Sequence, residues 1–522
     1  MFKFLRFLLF AAISVVLLSL GFQMLYQVPK APDRTDSLAI APTADTLLGA
    51  EVLLLGAQNP GLSGVAPLRQ GEDAFAARIL LAEAAQDSID ARYYIWQKDA
   101  TGLMLLDAMR RAADRGVRVR LLLDDNGTPA LDAELAELNR HPNVEVRLFN
   151  PFVLRSPRML TYLLDFARVN RRMHNKSFTV DGVATVVGGR NVGDIYFAHS
   201  EGVNYFDLDV VALGPAAADV AEDFDLYWAS PSTVPADLIL PAAGDANGTV
   251  LEASVAAVED TTGARQFAAS VLASDLMLQL HNGAPGFEWA ELQMVSDDPA
   301  KGQGRVDPEM LMINRLGQIL GAPKQSVDLV SAYFVPGDRL TAMLSGWAGQ
   351  GLQVRVLTNA QEATDVLPVH GGYLKYRDDL LDAGVQVYEL KSSQHQEEDL
   401  DLLDQFGLIG SSKVSLHAKA FVIDQSDLFV GSFNFDPRSA HLNTEMGFLI
   451  KGSHLARDIF PGYEGQLKNQ TYHVRRRADG GTEWIEALAS GGQHRFIVEP
   501  GSTAFSRFLV QMVGWLPISW LL

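Results

Sequence analysis

The sequence predicts an α/β protein of two similar halves, each a β-sheet covered on both faces by helices. Three observations lead there. The pattern His174-x-Lys176-x4-Asp181-x6-Gly188-Gly189-x-Asn191 returns as His417-x-Lys419-x4-Asp424-x6-Gly431-Ser432-x-Asn434. Average residue frequencies make one such match a chance event on the order of 10⁻⁵ in a chain this long. Strand–helix–strand signals flank both copies at nearly constant offset, and 522 residues exceed what one core holds.

The elements follow in order. Lys3 and Arg6 precede an apolar run from Phe7 to Phe22, extended to Tyr26, long enough to span a bilayer with the body on the far side. The run's length favours an uncleaved anchor (1–28) over a cleaved signal ending near Ser19-Leu20-Gly21. Pro29, Pro32 and Pro42 mark a stiff tether (29–70). The first half (71–230) contains the β-rich run Ser88 to Trp96, a helical stretch from Gly102 to Arg115, and strands at Val117–Leu123 and Val144–Phe149. The stretch 231–263, rich in Pro, Gly, Ala and Thr, reads as a connector. The second half (264–453) repeats the series at Ser326–Phe334, Asp338–Gly349, Leu352–Thr358 and Val385–Leu390.

In the tail (454–522), Phe505, Phe508, Leu509, Met512, Val513 and Leu516 fall at helical spacing ahead of Pro517. That amphipathic helix fits either the lipid interface or the protein's own core. Arg475-Arg476-Arg477 reads as a solvated turn or a headgroup contact, and Glu397–Asp404 as a mobile surface loop.

A net charge of −20 disfavours a nucleic-acid partner, since phosphate-backbone affinity comes from Lys and Arg. The absence of cysteine excludes disulfides, thiolate metal sites and thiol nucleophiles. The doubled motif supplies the alternative chemistry. A His–Lys pair spaced i, i+2 on a strand projects to one face. Two such faces closing on a cleft offer two imidazoles and two ammonium groups to one phosphodiester. One neutral imidazole attacks phosphorus, and the other, protonated, serves the leaving alkoxide. Asn191 and Asn434 offer further N–H donors, and the glycines permit close backbone approach. With two lysines present no metal is expected. Aligning Phe206–Asp209 with Leu442–Glu445 assigns Asp209 to orient His174 and Glu445 to orient His417. Asp181 and Asp424 read as buttresses of the turn. Arg155, Arg158, Arg168, Arg171 and Arg172 form a basic collar before His174 in an otherwise acidic chain.

These residues resemble the phospholipase D superfamily, whose signature is the duplicated His-x-Lys-x4-Asp pattern. The stretches Tyr162–Lys176, Gly188–Asp194 and Gly431–Ser439, with Asn443-Thr444-Glu445, resemble the bacterial C-type cardiolipin synthases. The resemblance covers 71–453. It implies an α/β/α sandwich in each half, a pseudo-two-fold axis and one active site between the halves, with no cofactor. It further implies transfer of a phosphatidyl group through a phosphohistidine onto phosphatidylglycerol, with phosphatidylethanolamine a further candidate substrate, at a bacterial inner membrane. By the same resemblance His174 is the nucleophile and His417 the general acid, and Arg172, His370, Tyr373 and Ser432 are candidate substrate contacts. The rivals are a hydrolytic phospholipase D with water as acceptor, a nuclease, and a non-catalytic membrane scaffold.

Overall fold

The computed structural model describes the chain apart from residues 1, 32–33, 201, 242–248, 284–285, 321–322, 393–412, 460–465, 489–490, 517–518 and 522. Nine strands come from the first part of the chain: β1 (Ser63–Leu68), β2 (Ser88–Ile95), β3 (Arg118–Gly127), β4 (Val144–Phe149), β5 (Ser177–Val180), β6 (Ala184–Gly188), β7 (Val203–Phe206), β8 (Asp209–Leu213) and β9 (Thr233–Pro235). All but β7 form one mixed sheet in the order β1-β8-β6-β5-β2-β3-β4-β9, with β2, β3 and β4 parallel.

The second part provides β10 (Glu288–Ser296), β11 (Ser326–Ser331), β12 (Gln353–Asn359), β13 (Gln386–Leu390), β14 (Lys413–Leu416), β15 (Lys419–Ile423), β16 (Asp427–Gly431), β17 (Met446–Lys451), β18 (Thr471–Arg476), β19 (Thr482–Ala487) and β20 (Gln493–Phe496). Its sheet runs β10-β17-β16-β15-β11-β12-β13-β18-β19-β20. The first eight places match the first sheet strand for strand. The central strands are almost wholly buried and carry apolar runs such as Leu121–Leu123, as sheets with helices on both faces require.

The halves meet by backbone and by side chain. β1 pairs with β10 along the sheet edge, and β7 with β14 as a separate parallel ribbon. Between them lies a shared core that includes Val65, Val187, Val210, Val330, Val430 and Ile450. So much buried apolar surface between two lobes makes the relation between them a packed one rather than a hinge.

The expected boundaries shift. The 231–263 stretch is not a free connector: β9 extends the first sheet, and Leu251 and Val255 of the helix Val250–Glu259 enter the first core. Glu137 accepts the N–H groups of Val250 and Leu251 at 2.7 and 3.1 Å, fastening that helix's start. Phe267 packs into the same core, so the second half begins at β10. Alanine-rich composition reads as linker when its burial partners lie a hundred residues away.

At the N-terminus Phe2–Leu25 is one helix, but among the described residues no helix is long and apolar enough to cross a membrane. Its C-terminal end docks on the helix Arg158–Leu164, where Ser19 Oγ donates to the Leu164 carbonyl at 2.5 Å. The C-terminal helix Ala504–Trp515 opens with a Thr503/Ser506 capping box. It docks through Val510 against Gly371, as a helix packed on the protein's own core would, and leaves Phe505, Phe508 and Trp515 exposed. Pro517 and the acidic stretch 397–404 lie outside the described residues. Arg476 pairs with Asp378 and Asp382, and Arg477 with Asp479.

Candidate active site

Both motif histidines lie just ahead of a strand rather than on one, His174 before β5 and His417 before β15, and are tied by backbone to the opposite half. The His174 N–H donates to the Thr444 carbonyl at 2.9 Å, and the His417 N–H to the Phe206 carbonyl at 2.7 Å. Their Nδ1 atoms find carboxylates there too: Glu445 Oε2 lies 2.8 Å from His174, and Asp207 Oδ2 2.5 Å from His417. A carboxylate on Nδ1 selects the tautomer with the proton on that nitrogen and leaves Nε2 free for chemistry. Lys176 Nζ donates to the His174 carbonyl at 2.6 Å, and Lys419 Nζ to the His417 carbonyl. All six side chains are buried.

This corrects the expected pairing. Asp209 does not orient His174: it is fully buried and bound to Arg78 at 2.8 Å, with the Arg190 N–H at 3.1 Å. Glu445 serves His174 rather than His417. The sheet register explains the slip. Gly188 pairs with Asp209 while Gly431 pairs with Gly447, so the counterpart of Glu445 is Asp207, two residues before the carboxylate chosen from sequence. Asp207 is a functional residue that sequence reasoning missed.

The glycines follow from these carboxylates. A Cβ at Gly189 would collide with Asp207 and one at Gly188 with Asp209. In the second half the place of Gly189 is taken by Ser432, whose hydroxyl donates to Glu445 Oε2 at 2.5 Å. Asn191 Oδ1 accepts the Ile95 N–H at 3.1 Å, while its Nδ2 and the Oδ1 of Asn434 lack a hydrogen-bond partner among the described residues.

Asp181 and Asp424 hold the fold away from the imidazoles. Each has positive φ, and each carboxylate accepts three consecutive backbone N–H groups, Gln86 to Ser88 and Lys324 to Ser326. Asp181→Ala strands three donors, so we expect a loss of about 3 kcal/mol in stability. Urea unfolding would read this, and a variant as stable as the parent would contradict it.

Electrostatics make the four motif side chains one unit. Burial, with the Lys176 and Lys419 charges, pushes His174 down to about 4 against the pull of Glu445. Burial and then Lys419 lower His417, opposed by Asp207. Burial brings Lys176 down to about 7, against Glu445, and lowers Lys419 against Asp207 and Glu445. Burial works against both carboxylates, yet their imidazole partners hold them below the usual range. Each charge is felt across the junction between halves, as one shared site requires.

Aromatic rings wall the histidines. Tyr94 meets His174 edge-on at 5.0 Å, and Tyr205 stacks on His417 at 4.8 Å with Tyr196 edge-on at 5.3 Å. The hydroxyls of Tyr205 and Tyr333 both donate to Asp365, at 3.0 and 2.8 Å. No spacing in the sequence marks these rings.

Other expected contacts lie elsewhere. Arg172 is buried on Asp124 (3.0 Å) and the Asn150 carbonyl (2.8 Å), so it braces the segment before His174. Arg155 pairs with Asp125 and Asp132, Arg158 with Asp132, Arg168 with Asp165, and Arg171 donates to the His441 carbonyl. The collar is spent on internal partners. His370 binds Glu499 at 2.8 Å, fastening the C-terminal arm to the helix Leu367–Asp382, and Tyr373 of the same helix binds Glu389 of β13 at 3.0 Å. Among the described residues no group of three His, Asp or Glu is placed to hold a metal ion.

The family described as "Cardiolipin synthase, PLD-like domain" matches residues 79–228 and 316–460. Cardiolipin synthase C of Escherichia coli (strain K12) is 43% identical over 477 residues, 91% of this chain and 99% of that protein. The major cardiolipin synthase ClsA of Bacillus subtilis (strain 168) is 24% identical, over 77% of this chain and 68% of that protein. Among solved structures, the phosphatidylserine synthase of Haemophilus influenzae Rd KW20 superposes with a TM-score of 0.53 at 13% identity. It covers 82% of this chain and 93% of that one, a likeness of fold.

Proposed function

The chain belongs to the cardiolipin synthase family with phospholipase D-like domains, and from that premise we propose that it is a phosphatidyltransferase making cardiolipin. The observation that carries the reading is the pair of buried imidazoles, each backed on Nδ1 by the other half's carboxylate, beside two buried ammonium groups.

In the first step the His174 Nε2 lone pair forms a bond to phosphorus as the bond to the donor's headgroup oxygen breaks. His417 gives that oxygen its Nε2 proton, and the headgroup alcohol leaves. In the second step His417, now neutral, takes the proton from the hydroxyl of phosphatidylglycerol. The new P–O bond forms as the P–N bond breaks, which restores both residues. Lys176 and Lys419 neutralise the nonbridging oxygens. A neutral resting His174 suits the nucleophile. A bound anionic phosphodiester raises the proton affinity of both imidazoles, and only His417 needs the proton.

Phospholipid substrates place the site at a membrane surface. Supporting this, Phe7, Phe10, Met24 and Leu25 of the first helix are exposed, as are Met159 and Leu163 beside its docking point and Trp515 and Trp520 of the tail. We read this first helix as attaching the chain to the bacterial inner membrane, with the catalytic body on the periplasmic side.

The test is to incubate the purified full chain in detergent with labelled phosphatidylglycerol, with and without phosphatidylethanolamine. Cardiolipin is expected; phosphatidic acid alone would transfer the assignment to a hydrolase. A second expectation concerns pH. Lys176 loses its charge above about 7 in the free protein, so kcat/KM for the anionic donor should fall as pH rises through that value. A flat profile from pH 6 to 9 would remove Lys176 from phosphate binding.

A further inference from the structure

An apolar groove of about 530 Å³ opens beside the second motif, between the helix Met312–Leu320 and two stretches of chain that leave the catalytic site. One wall follows β11. There Tyr333 faces the site through its bond to Asp365, and two residues later Val335 and Pro336 line the groove. The other wall follows β16, where Asn434 belongs to the motif and Phe435, Asp436 and Pro437 line the groove. The two walls are joined where the Val335 N–H donates to the Phe435 carbonyl at 2.7 Å. The same two stretches of chain therefore border both the phosphate site and the groove. The lining also includes Leu311, Leu320, Met343 and Ala440.

We propose that this groove holds one acyl chain of the phosphatidyl group while that group rides on the enzyme. The inference rests on the transferase reading above. Its volume and mostly apolar lining are those of a site for an apolar ligand, with Asn314, Asp338, Arg339, Asp436 and His441 as the polar members. Of the two acids in the lining, Asp436 is buried: burial pushes it up to about 7, and its carboxyl caps the following turn at the Ser439 N–H. The donor's chain is the occupant because only the phosphatidyl group stays bound through both steps. The headgroup alcohol departs and the acceptor arrives between them, so a chain anchored beside the second motif keeps phosphorus in place during the exchange.

Gly317 gives the means of testing it. It lies within the helix Met312–Leu320 and lines the groove, and a Cβ there would meet only Arg339 Nη2, at 3.9 Å. Gly317→Trp fills the groove at a helical position where losing glycine favours the helix. The full chain is assayed with a long-chain donor and short-chain phosphatidylglycerol, then with the lengths exchanged. The ratio of long-chain to short-chain donor turnover should fall about tenfold or more, equivalent to losing the burial of roughly two methylenes. Dependence on the acceptor's chain length instead, an equal loss for every pair, or an unchanged ratio would each overturn the assignment. Binding of a fluorescent long-chain phosphatidyl analogue supplies a readout independent of turnover, expected to weaken by a similar factor. If the wild type transfers nothing with any pair, the transferase reading fails, while the binding comparison still judges the groove. Should the Trp variant not fold, Gly317→Leu provides the same comparison.

Discussion

His174→Asn lowers kcat for phosphatidyl transfer by roughly 10⁴-fold or more, because the imidazole that bonds to phosphorus is lost while His417 is committed to the leaving group's proton. His417→Asn costs a comparable factor for a different reason, and the two variants separate when the leaving group is changed. A donor carrying a nitrophenol needs no proton on departure. His417→Asn should therefore still release nitrophenol and accumulate an acid-labile, base-stable phosphatidyl adduct. His174→Asn should do neither. Mass spectrometry of the quenched protein reads the adduct directly. Finding it on His417 in the His174→Asn protein would reverse the assignment of the two imidazoles.

The second large effect separates three acids that look alike in sequence. Glu445→Gln and Asp207→Asn remove the charge behind His174 and His417, at 2.8 and 2.5 Å. Each should lower kcat by roughly 10²-fold or more with the fold retained, since a neutral amide no longer steadies the imidazolium or selects its tautomer. Asp209→Asn should behave otherwise. It leaves the buried Arg78 and Arg190 guanidinium groups without their carboxylate, at a cost of about 3 kcal/mol in stability. Measuring kcat and denaturant midpoint for all three decides the matter. A catalytic loss in Asp209→Asn exceeding that in Asp207→Asn, at equal stability, would restore the pairing read from sequence.

The contrast shows what a linear chain displays. The halves, their strand series and the four motif side chains were legible because each signal is local and repeated. The strands at Ser88–Ile95 and Ser326–Ser331 occupy the same place in the two sheets. Asp207 was missed because charge was matched instead of register, and register appears only when Gly188 and Gly431 meet their partner strands. The arginines before His174 read as an exposed collar because Asp124, Asp125 and Asp132, which take up several of them, lie 23 to 48 positions away. The rings on the imidazoles carry no spacing at all: Tyr94 ends a strand, while Tyr196 and Tyr205 arrive on the chain after β6.

The crossed carboxylates carry a consequence for genetics. A lesion at codon 445 disables the histidine encoded some 270 codons upstream, and one at codon 207 silences its counterpart downstream. Either lobe expressed as a separate polypeptide would be inert, because its imidazole lacks the counter-charge. Two such fragments produced in one cell would regain turnover only by associating, which makes complementation in trans a phenotype written into the fold.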